Sequence, residues 1–133
     1  MGTPGSRRGK LDALAREVFF AGLEVHKALG PGMLEKAYET CLAHELELRG
    51  LCCRRQVALP VSYKGLVVQD AYKIDLLVEE RLVLELKVVE KLLDKHKAQL
   101  LTYLRCGDYR LGLLINFNTA LFKNGVVRIA NGL

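Results

Sequence analysis

Residues 72–87 constrain the fold of this chain more than any other segment, because apolar residues alternate with other residues on both sides of a short charged segment, Glu79–Arg81. Such alternation is typical of strands that bury one face, and three residues are enough to join two antiparallel strands. If Val78 pairs with Leu82, both apolar sets reach one core. The sequence therefore predicts a β-hairpin. The residues expected to share the buried face are Ile74, Leu76 and Val78 in the first strand and Leu82, Leu84, Leu86 and Val88 in the second.

The hairpin register places Asp75 directly opposite Glu85. Directly opposed residues have Cβ atoms roughly 5 Å apart, and two carboxylates at that separation repel unless a cation lies between them. Lys87 follows on the same face, roughly 7 Å along the strand, where its amine could orient or deprotonate a metal-bound water. Oxygen ligands favour Mg²⁺, which keeps several waters available for a phosphate substrate. The same three residues also fit an exposed sheet face with one cross-strand ion pair, so both interpretations stay open.

The hydrophobic period changes several times along the rest of the chain. Segments with apolar residues every three or four positions predict helices, and alternating or wholly apolar segments predict strands. The strand at 111–117 is apolar almost throughout, which favours a parallel strand covered on both faces after a crossover helix. The predicted elements are helices at about 10–30, 34–50 and 91–104, and strands at 57–63, 67–78, 82–89, 111–117 and 121–129.

Two pairs of helical residues add polar groups to the predicted site. Glu35 and Tyr38 lie three residues apart on the second helix, and Gln99 and Tyr103 lie four apart on the third, so each pair shares a helical face. The tyrosines also fit half-buried packing with the hydroxyl at the rim, and Gln99 fits a solvent-facing amide. The spacing alone leaves both interpretations open.

Length and composition predict one folded domain, residues 11–133, after a flexible basic tail at residues 1–10. A chain of 133 residues, half of them hydrophobic, suits a single core. Three of the five net positive charges come from Arg7, Arg8 and Lys10, so the predicted domain has little electrostatic attraction for nucleic acid. The chain lacks an apolar run long enough to span a membrane, and its start lacks the apolar part of a signal peptide, so we expect a soluble cytoplasmic protein without membrane contact.

The cysteines lie at positions 41, 52, 53 and 106. They form no C-x-x-C pair and have no nearby histidine at zinc-finger spacing. We interpret them as reduced thiols. A four-cysteine iron–sulfur cluster is an alternative, although the adjacent Cys52 and Cys53 fit the spaced ligands of such clusters poorly.

Together these motifs resemble a known family. Asp75 followed by Glu85-Leu86-Lys87 resembles the D…E-x-K signature of the PD-(D/E)XK nuclease superfamily, and Gln99-Leu-Leu-Thr-Tyr103 resembles the Q-x-x-x-Y motif of its RecB-like and lambda-exonuclease-like branch. Gly32-Met-Leu-Glu-Lys-Ala-Tyr38 resembles the G-x-x-E-x-x-Y signature of a small prokaryotic family in that branch. The resemblance spans about Val18 to Leu133. It implies an α/β (α+β), restriction-endonuclease-like fold, with an αβββαβ core, a mixed sheet flanked by helices, and the first helix as an N-terminal addition.

The resemblance also implies a function, metal-dependent hydrolysis of phosphodiester bonds, with DNA as the expected substrate and Mg²⁺, or Mn²⁺ as a substitute, as the cofactor. Lys87 would be the catalytic lysine that assists the attacking water. Gln99 and Tyr103 would position the nucleic-acid backbone or the active-site residues near the scissile phosphate. The implied metal ligands are Asp75, Glu85, the Leu86 carbonyl and Glu35, the last directly or through water.

Two other functions fit the same sequence. The chain could be a non-catalytic nucleic-acid-binding or protein-binding module, or an accessory subunit that needs a partner chain. The exposed face of the first helix could also pair two subunits in a homodimer. Basic side chains at the third helix could contact phosphates or form a solvated face, namely Lys91, Lys95, His96 and Lys97. We expect His26 and His44 to be structural or surface groups.

Overall fold

A five-stranded mixed sheet with helices on both faces forms the computed structural model, which describes residues 5–133. The spatial order of the strands is β1-β2-β3-β4-β5; β3 and β4 are parallel, and the other neighbours are antiparallel. This architecture confirms the predicted α+β fold and its parallel crossover. The elements are α1 (Arg7–Leu29), α2 (Glu35–Leu48), β1 (Cys53–Tyr63), β2 (Leu66–Val78), β3 (Leu82–Lys87), α3 (Asp94–Gly107), β4 (Leu111–Asn116), a 3₁₀ turn (Phe122–Gly125) and β5 (Val126–Ala130).

Helix α1 begins three residues before its predicted start. The Ser6 hydroxyl accepts a hydrogen bond from the Gly9 N–H at 3.0 Å and so satisfies a donor of the first turn. Residues 7–10 of the predicted flexible tail are therefore helical, which corrects that part of the prediction, and residues 1–4 lie outside the described residues. Within the described part of the chain, no helix combines the length and the apolar character that a membrane span requires.

Each face of the sheet buries its own apolar cluster. Helices α1 and α2 cover one face, where Leu76, Leu84 and Ile115 lie. Helix α3 covers the other face, where Leu77, Val83 and Leu114 lie. All six residues of β4 are buried, which agrees with the almost wholly apolar strand predicted there and explains why its side chains need not alternate in polarity.

The β2–β3 hairpin has the predicted register, with Val78 opposite Leu82. One predicted feature is wrong: Ile74 does not share a face with Leu76 and Val78. Ile74 packs in the cluster under α3, whereas Leu76 and Val78 pack under α1 and α2. The alternation of side chains along β2 is therefore interrupted at Asp75. Ile74 and Leu76, which would share a face in a regular strand, lie on opposite faces of the sheet.

The last predicted strand is also shorter than expected. Residues 122–125 form a 3₁₀ turn, and β5 begins only at Val126. The Phe122 ring is buried against α1, where a Cβ atom on Gly22 would lie 2.5 Å from a ring carbon. Phe122 therefore follows the packing of the helix layer and not the alternation of a strand.

Candidate active site

Two carboxylates meet between β2 and β3, one residue beyond the last hydrogen-bonded pair, Leu76 with Leu84. Glu85 Oε1 accepts a hydrogen bond from the Asp75 N–H at 3.0 Å, and Asp75 Oδ2 accepts one from the Leu86 N–H at 2.9 Å. These reciprocal bonds hold each acid against the backbone of the neighbouring strand. The second oxygen of each carboxylate, Asp75 Oδ1 and Glu85 Oε2, takes no part in these two hydrogen bonds, so the pair has two further oxygens with which to bind a cation.

Burial makes this pair electrostatically unfavourable on its own. Only 4% of Glu85 is exposed, and burial, followed by the charge of Asp75, raises the pKa of Glu85 to about 8. Burial also raises the pKa of Asp75, while the Leu86 N–H and Lys87 act in the opposite direction. A divalent cation would relieve the repulsion that remains. The chemistry of the two oxygen donors therefore fits a hard metal ion.

Helix α3 brings polar groups to the same place. Lys87 Nζ donates a hydrogen bond to Gln99 Oε1 at 3.3 Å. Tyr103 lies one turn further along the helix and is buried. Burial, followed by the charges of Glu85 and Asp75, raises the pKa of the Tyr103 hydroxyl to about 12. The structure thus places Tyr103 within electrostatic reach of the acid pair, and the exposed Gln99 contacts Lys87 through its amide oxygen.

Glu35 lies at the border of this group, in the first turn of α2. Burial raises its pKa most, Asp75 raises it further and Lys87 lowers it, so the Glu35 carboxylate lies within electrostatic reach of both. It is nevertheless exposed, and no three His, Cys, Asp or Glu side chains among residues 5–133 already form a metal-binding group. The structure therefore brings Asp75 and Glu85 into a close pair and leaves Glu35 beside them.

Three residues near the pair, Glu39, Arg55 and Gln56, were not singled out from the sequence. Glu39 is buried on α2; its Oε2 accepts from Arg55 Nε at 2.9 Å and its Oε1 from Gln56 Nε2 at 2.7 Å. Gln56 Nε2 also donates to Asp75 Oδ1 at 3.3 Å. The spacing of Glu39 from Glu35, one helical turn, is the signal that could have identified it. An open cleft of about 580 Å³ lies here, and the residues that line it are Glu35, Lys36, Glu39, Arg55, Gln56 and Asp75.

Comparison with protein families matches residues 12–129 to the PD-(D/E)XK nuclease superfamily. The chain belongs to that superfamily. Among solved structures, the crystal structure of SSO0001 is similar, with a TM-score of 0.55 and 19% sequence identity, and this likeness supports the fold alone. The match covers 96% of the present chain but 63% of the SSO0001 chain, so the present chain spans less than two thirds of that protein. Comparison with curated proteins finds no match.

The residues whose spacing resembles the D…E-x-K signature lie close together in the structure. Asp75 and Glu85 are the hydrogen-bonded acid pair, and Lys87 extends from the same strand as Glu85. PD-(D/E)XK nucleases typically use divalent metals, and the donor set here has the oxygen chemistry that such ions prefer.

Tyr38 has a structural place in this PD-(D/E)XK chain. Its ring is fully buried and stacks on Phe117 with centroids 4.4 Å apart. Its hydroxyl donates to the Gly30 carbonyl and accepts from the Met33 N–H at 3.1 Å. These contacts fix the turn before α2, and that turn sets the position of Glu35 at the start of the helix.

We expect Tyr38→Phe to lower the free energy of unfolding by about 1–2 kcal/mol, because two backbone groups lose their partner while the ring stack is retained. Urea denaturation near neutral pH measures the change. Tyr63→Phe is the matched control, since Tyr63 is exposed and its replacement should change stability by less than about 0.5 kcal/mol. Equal losses in the two variants would contradict the structural role of the Tyr38 hydroxyl.

His96 caps helix α3. Its Nδ1 accepts a hydrogen bond from the Leu93 N–H at 2.9 Å, so this nitrogen is occupied by the fold and not by a substrate. Burial, then Lys87 and Lys95, lower the pKa of His96. Helix α3 accordingly begins at Asp94 and not at the predicted Lys91. Contacts to phosphates stay a prediction for the exposed Lys91 and Lys95 and the half-buried Lys97.

The remaining histidines and the cysteines lie elsewhere. His26 is buried, with Nε2 2.8 Å from the Thr119 carbonyl, and His44 is exposed, which confirms the structural and surface roles expected of them. Burial raises the pKa of the Cys53 thiol to about 11, so it stays protonated at neutral pH. The free thiols are Cys41, Cys52, Cys53 and Cys106.

The metal-free protein should lose stability as pH rises from about 5 to about 8. The pKa of Glu85 is about 8 in the folded chain, against an ordinary value of 4.5, so the folded state retains a proton that the unfolded chain releases over this interval. Glu85→Gln keeps the acceptor for Asp75 but cannot ionise, so its melting temperature should exceed that of wild type at pH 8 by about 3 °C or more. Thermal melts in EDTA test this, and parallel pH curves for the two proteins would contradict it.

Proposed function

We propose that this chain is a divalent-metal-dependent nuclease that hydrolyses phosphodiester bonds in DNA. The observation that carries the proposal is the reciprocal pair of hydrogen bonds between β2 and β3, which brings the carboxylates of Asp75 and Glu85 together beside Lys87. The buried Glu85, the half-buried Asp75 and Lys87 lie close together where β2 and β3 meet, and they provide oxygen donors for a cation and an amine near it. Membership of a nuclease superfamily supports the same function.

Asp75 and Glu85 would bind the metal, with the Leu86 carbonyl as a further ligand and Glu35 joining directly or through water. Hard oxygen donors favour Mg²⁺, and Mn²⁺ accepts the same donors. When bound, such an ion supplies positive charge that polarises a phosphoryl oxygen and lowers the pKa of a coordinated water. This metal assignment is part of the proposal and follows from the donor chemistry.

The other side chains have roles that follow from their contacts. Lys87 Nζ, held by the Gln99 amide oxygen, would hold the attacking water and offset negative charge on the phosphate. Because its pKa is about 12, the Tyr103 hydroxyl stays protonated at neutral pH and would act as a hydrogen-bond donor and not as a base. Gln99 and Tyr103 would thus position groups, while the two acids and Lys87 act on the scissile phosphate.

The finer assignments rest on motifs. Gly32 to Tyr38 supports membership of the G-x-x-E-x-x-Y family, and Gln99 to Tyr103 supports the RecB-like branch. DNA as substrate follows from that resemblance. A cytoplasmic location and a homodimer formed through α1 belong to the same proposal, and light scattering tests the latter.

The proposal is tested by incubating the purified protein with supercoiled plasmid, linear duplex or single strands, in Mg²⁺, Mn²⁺ or EDTA. We expect cleavage with either metal, none in EDTA, and products with 5′-phosphate ends. Binding without cleavage under every condition would favour the non-catalytic module. Cleavage that appears only after a second protein is added would favour the accessory subunit.

A further inference from the structure

Gln56 has a backbone conformation that is unusual for its place in the fold. It lies inside β1, yet its φ is +51°, in the left-handed region that residues with a side chain rarely adopt. The β1–β2 ladder pairs Arg55 with Leu76 and Val57 with Ile74, and omits Gln56 and Asp75 between them. Such strained conformations persist only where the surrounding structure enforces them, and they concentrate at functional sites.

The side chain of Gln56 joins two carboxylates. Its Nε2 donates to Glu39 Oε1 at 2.7 Å and to Asp75 Oδ1 at 3.3 Å. A glutamine amide has two N–H donors, so one nitrogen can serve both acids. Because the amide is neutral, it orients Asp75 without cancelling the negative charge that would attract a cation.

Glu39 provides a fixed anchor for this amide. It is 7% exposed, and its second oxygen accepts from Arg55 Nε at 2.9 Å. Arg55 Nη2 in turn donates to Thr40 Oγ1 at 2.9 Å, so Arg55 ties β1 to two consecutive residues of α2. The position of the Gln56 amide is therefore set by α2 as well as by its own strand.

Asp75 is held from two sides. The Leu86 N–H of β3 donates to Oδ2, and the Gln56 amide donates to Oδ1. Donors from two different strands define the plane of the carboxylate, which a single hydrogen bond would leave free to rotate. Gln56, with its left-handed backbone, is the β1 residue that lies opposite Asp75 in the β1–β2 pairing.

We propose that Gln56 is a positioning residue, whose amide, anchored on Glu39, orients the Asp75 carboxylate toward the metal site. The inference rests on the proposed nuclease function. It explains why a strained residue lies within an otherwise paired part of the strand. Glu39 anchors the Gln56 amide, and Arg55 in turn holds Glu39.

Gln56→Gly tests the inference, because glycine adopts the left-handed conformation readily and lacks the amide. Calorimetric titration with Mn²⁺, without nucleic acid, should show an affinity at least about tenfold lower than that of wild type. The Leu86 amide should exchange its hydrogen faster, since its acceptor is no longer held. With DNA, kcat should fall while KM stays near its wild-type value. Gln69→Gly, at an exposed position in β2, is the matched control and should change none of these values.

Wild-type Mn²⁺ affinity together with wild-type Leu86 exchange in Gln56→Gly would overturn the inference. If the wild-type protein neither binds Mn²⁺ nor cleaves DNA, the proposed nuclease function fails; unchanged Leu86 exchange would then overturn the orienting role as well, and faster exchange would support it. If Gln56→Gly does not fold, Gln56→Asn replaces it, since asparagine tolerates the left-handed region and its amide is one methylene too short to keep both bonds. The same losses are expected for it.

Discussion

Glu85→Gln is expected to lower metal-dependent cleavage about a thousandfold or more. The substitution preserves the shape of the side chain and the acceptor for the Asp75 N–H, but it removes the charge of one of two adjacent acids. A loss of about 4 kcal/mol of transition-state stabilisation, the scale expected when a metal site is disrupted, corresponds to this factor. Initial rates on linear duplex over a range of Mg²⁺ concentrations measure it.

A matched control for this substitution is Glu47→Gln. Glu47 is an exposed acid near the C-terminal end of α2, whereas the site lies near the N-terminal end of that helix. This variant should cleave at the wild-type rate. Cleavage by Glu85→Gln at the wild-type rate would show that the activity arises from another site or from a contaminant.

Lys87→Ala is expected to reduce kcat by about 10²–10³-fold, the usual cost of removing one group that stabilises charge in the transition state. Lys87 is held by Gln99 and lowers the pKa values of Glu35, Asp75 and Glu85, so its positive charge lies among the acids. Removing that charge should leave Mn²⁺ affinity unchanged or increase it. A large loss of kcat without a loss of metal affinity would separate the role of the lysine from that of the acids.

Calorimetry with Mn²⁺ and single-turnover cleavage together provide this separation. Lys10→Ala is the control for general loss of positive charge, because Lys10 is exposed in the first turns of α1 and outside the site. It should change kcat by less than about twofold, within the small effect usual for surface substitutions. A loss of metal affinity in Lys87→Ala comparable to that of Glu85→Gln would contradict the assignment of Lys87 as a catalytic group.

Sequence alone was sufficient for the hairpin and for the proximity of the acids. The three-residue loop and the alternation of Leu82, Leu84 and Leu86 determine a register that depends only on local geometry, since side chains on a strand alternate with a period of two. Once Val78 pairs with Leu82, Asp75 and Glu85 must lie near each other. The helical spacing of Gln99 and Tyr103 likewise predicts that one face of α3 presents both.

Helix and strand limits were less predictable where one side chain decides them. Ser6 starts α1 and His96 caps α3, and both act through hydrogen bonds to backbone N–H groups that an apolar period does not report. Phe122 interrupts the last predicted strand because its ring packs beside Gly22. In each case, a contact with a specific partner determined the conformation.

The sequence by itself thus determined the order of the elements and the register of the central hairpin. It also determined the chemical groups at the end of that hairpin, two carboxylates and a lysine amine. Tertiary structure alone decided that Ile74 and Leu76 serve different cores, that Tyr38 is a buried anchor, and that Gln56 links Glu39 to Asp75. The physical reason is the distance along the chain over which each interaction acts. Alternation and turn length act between neighbours in the chain, whereas these contacts join α2, β1 and β2 and form only when the helix packs on the sheet.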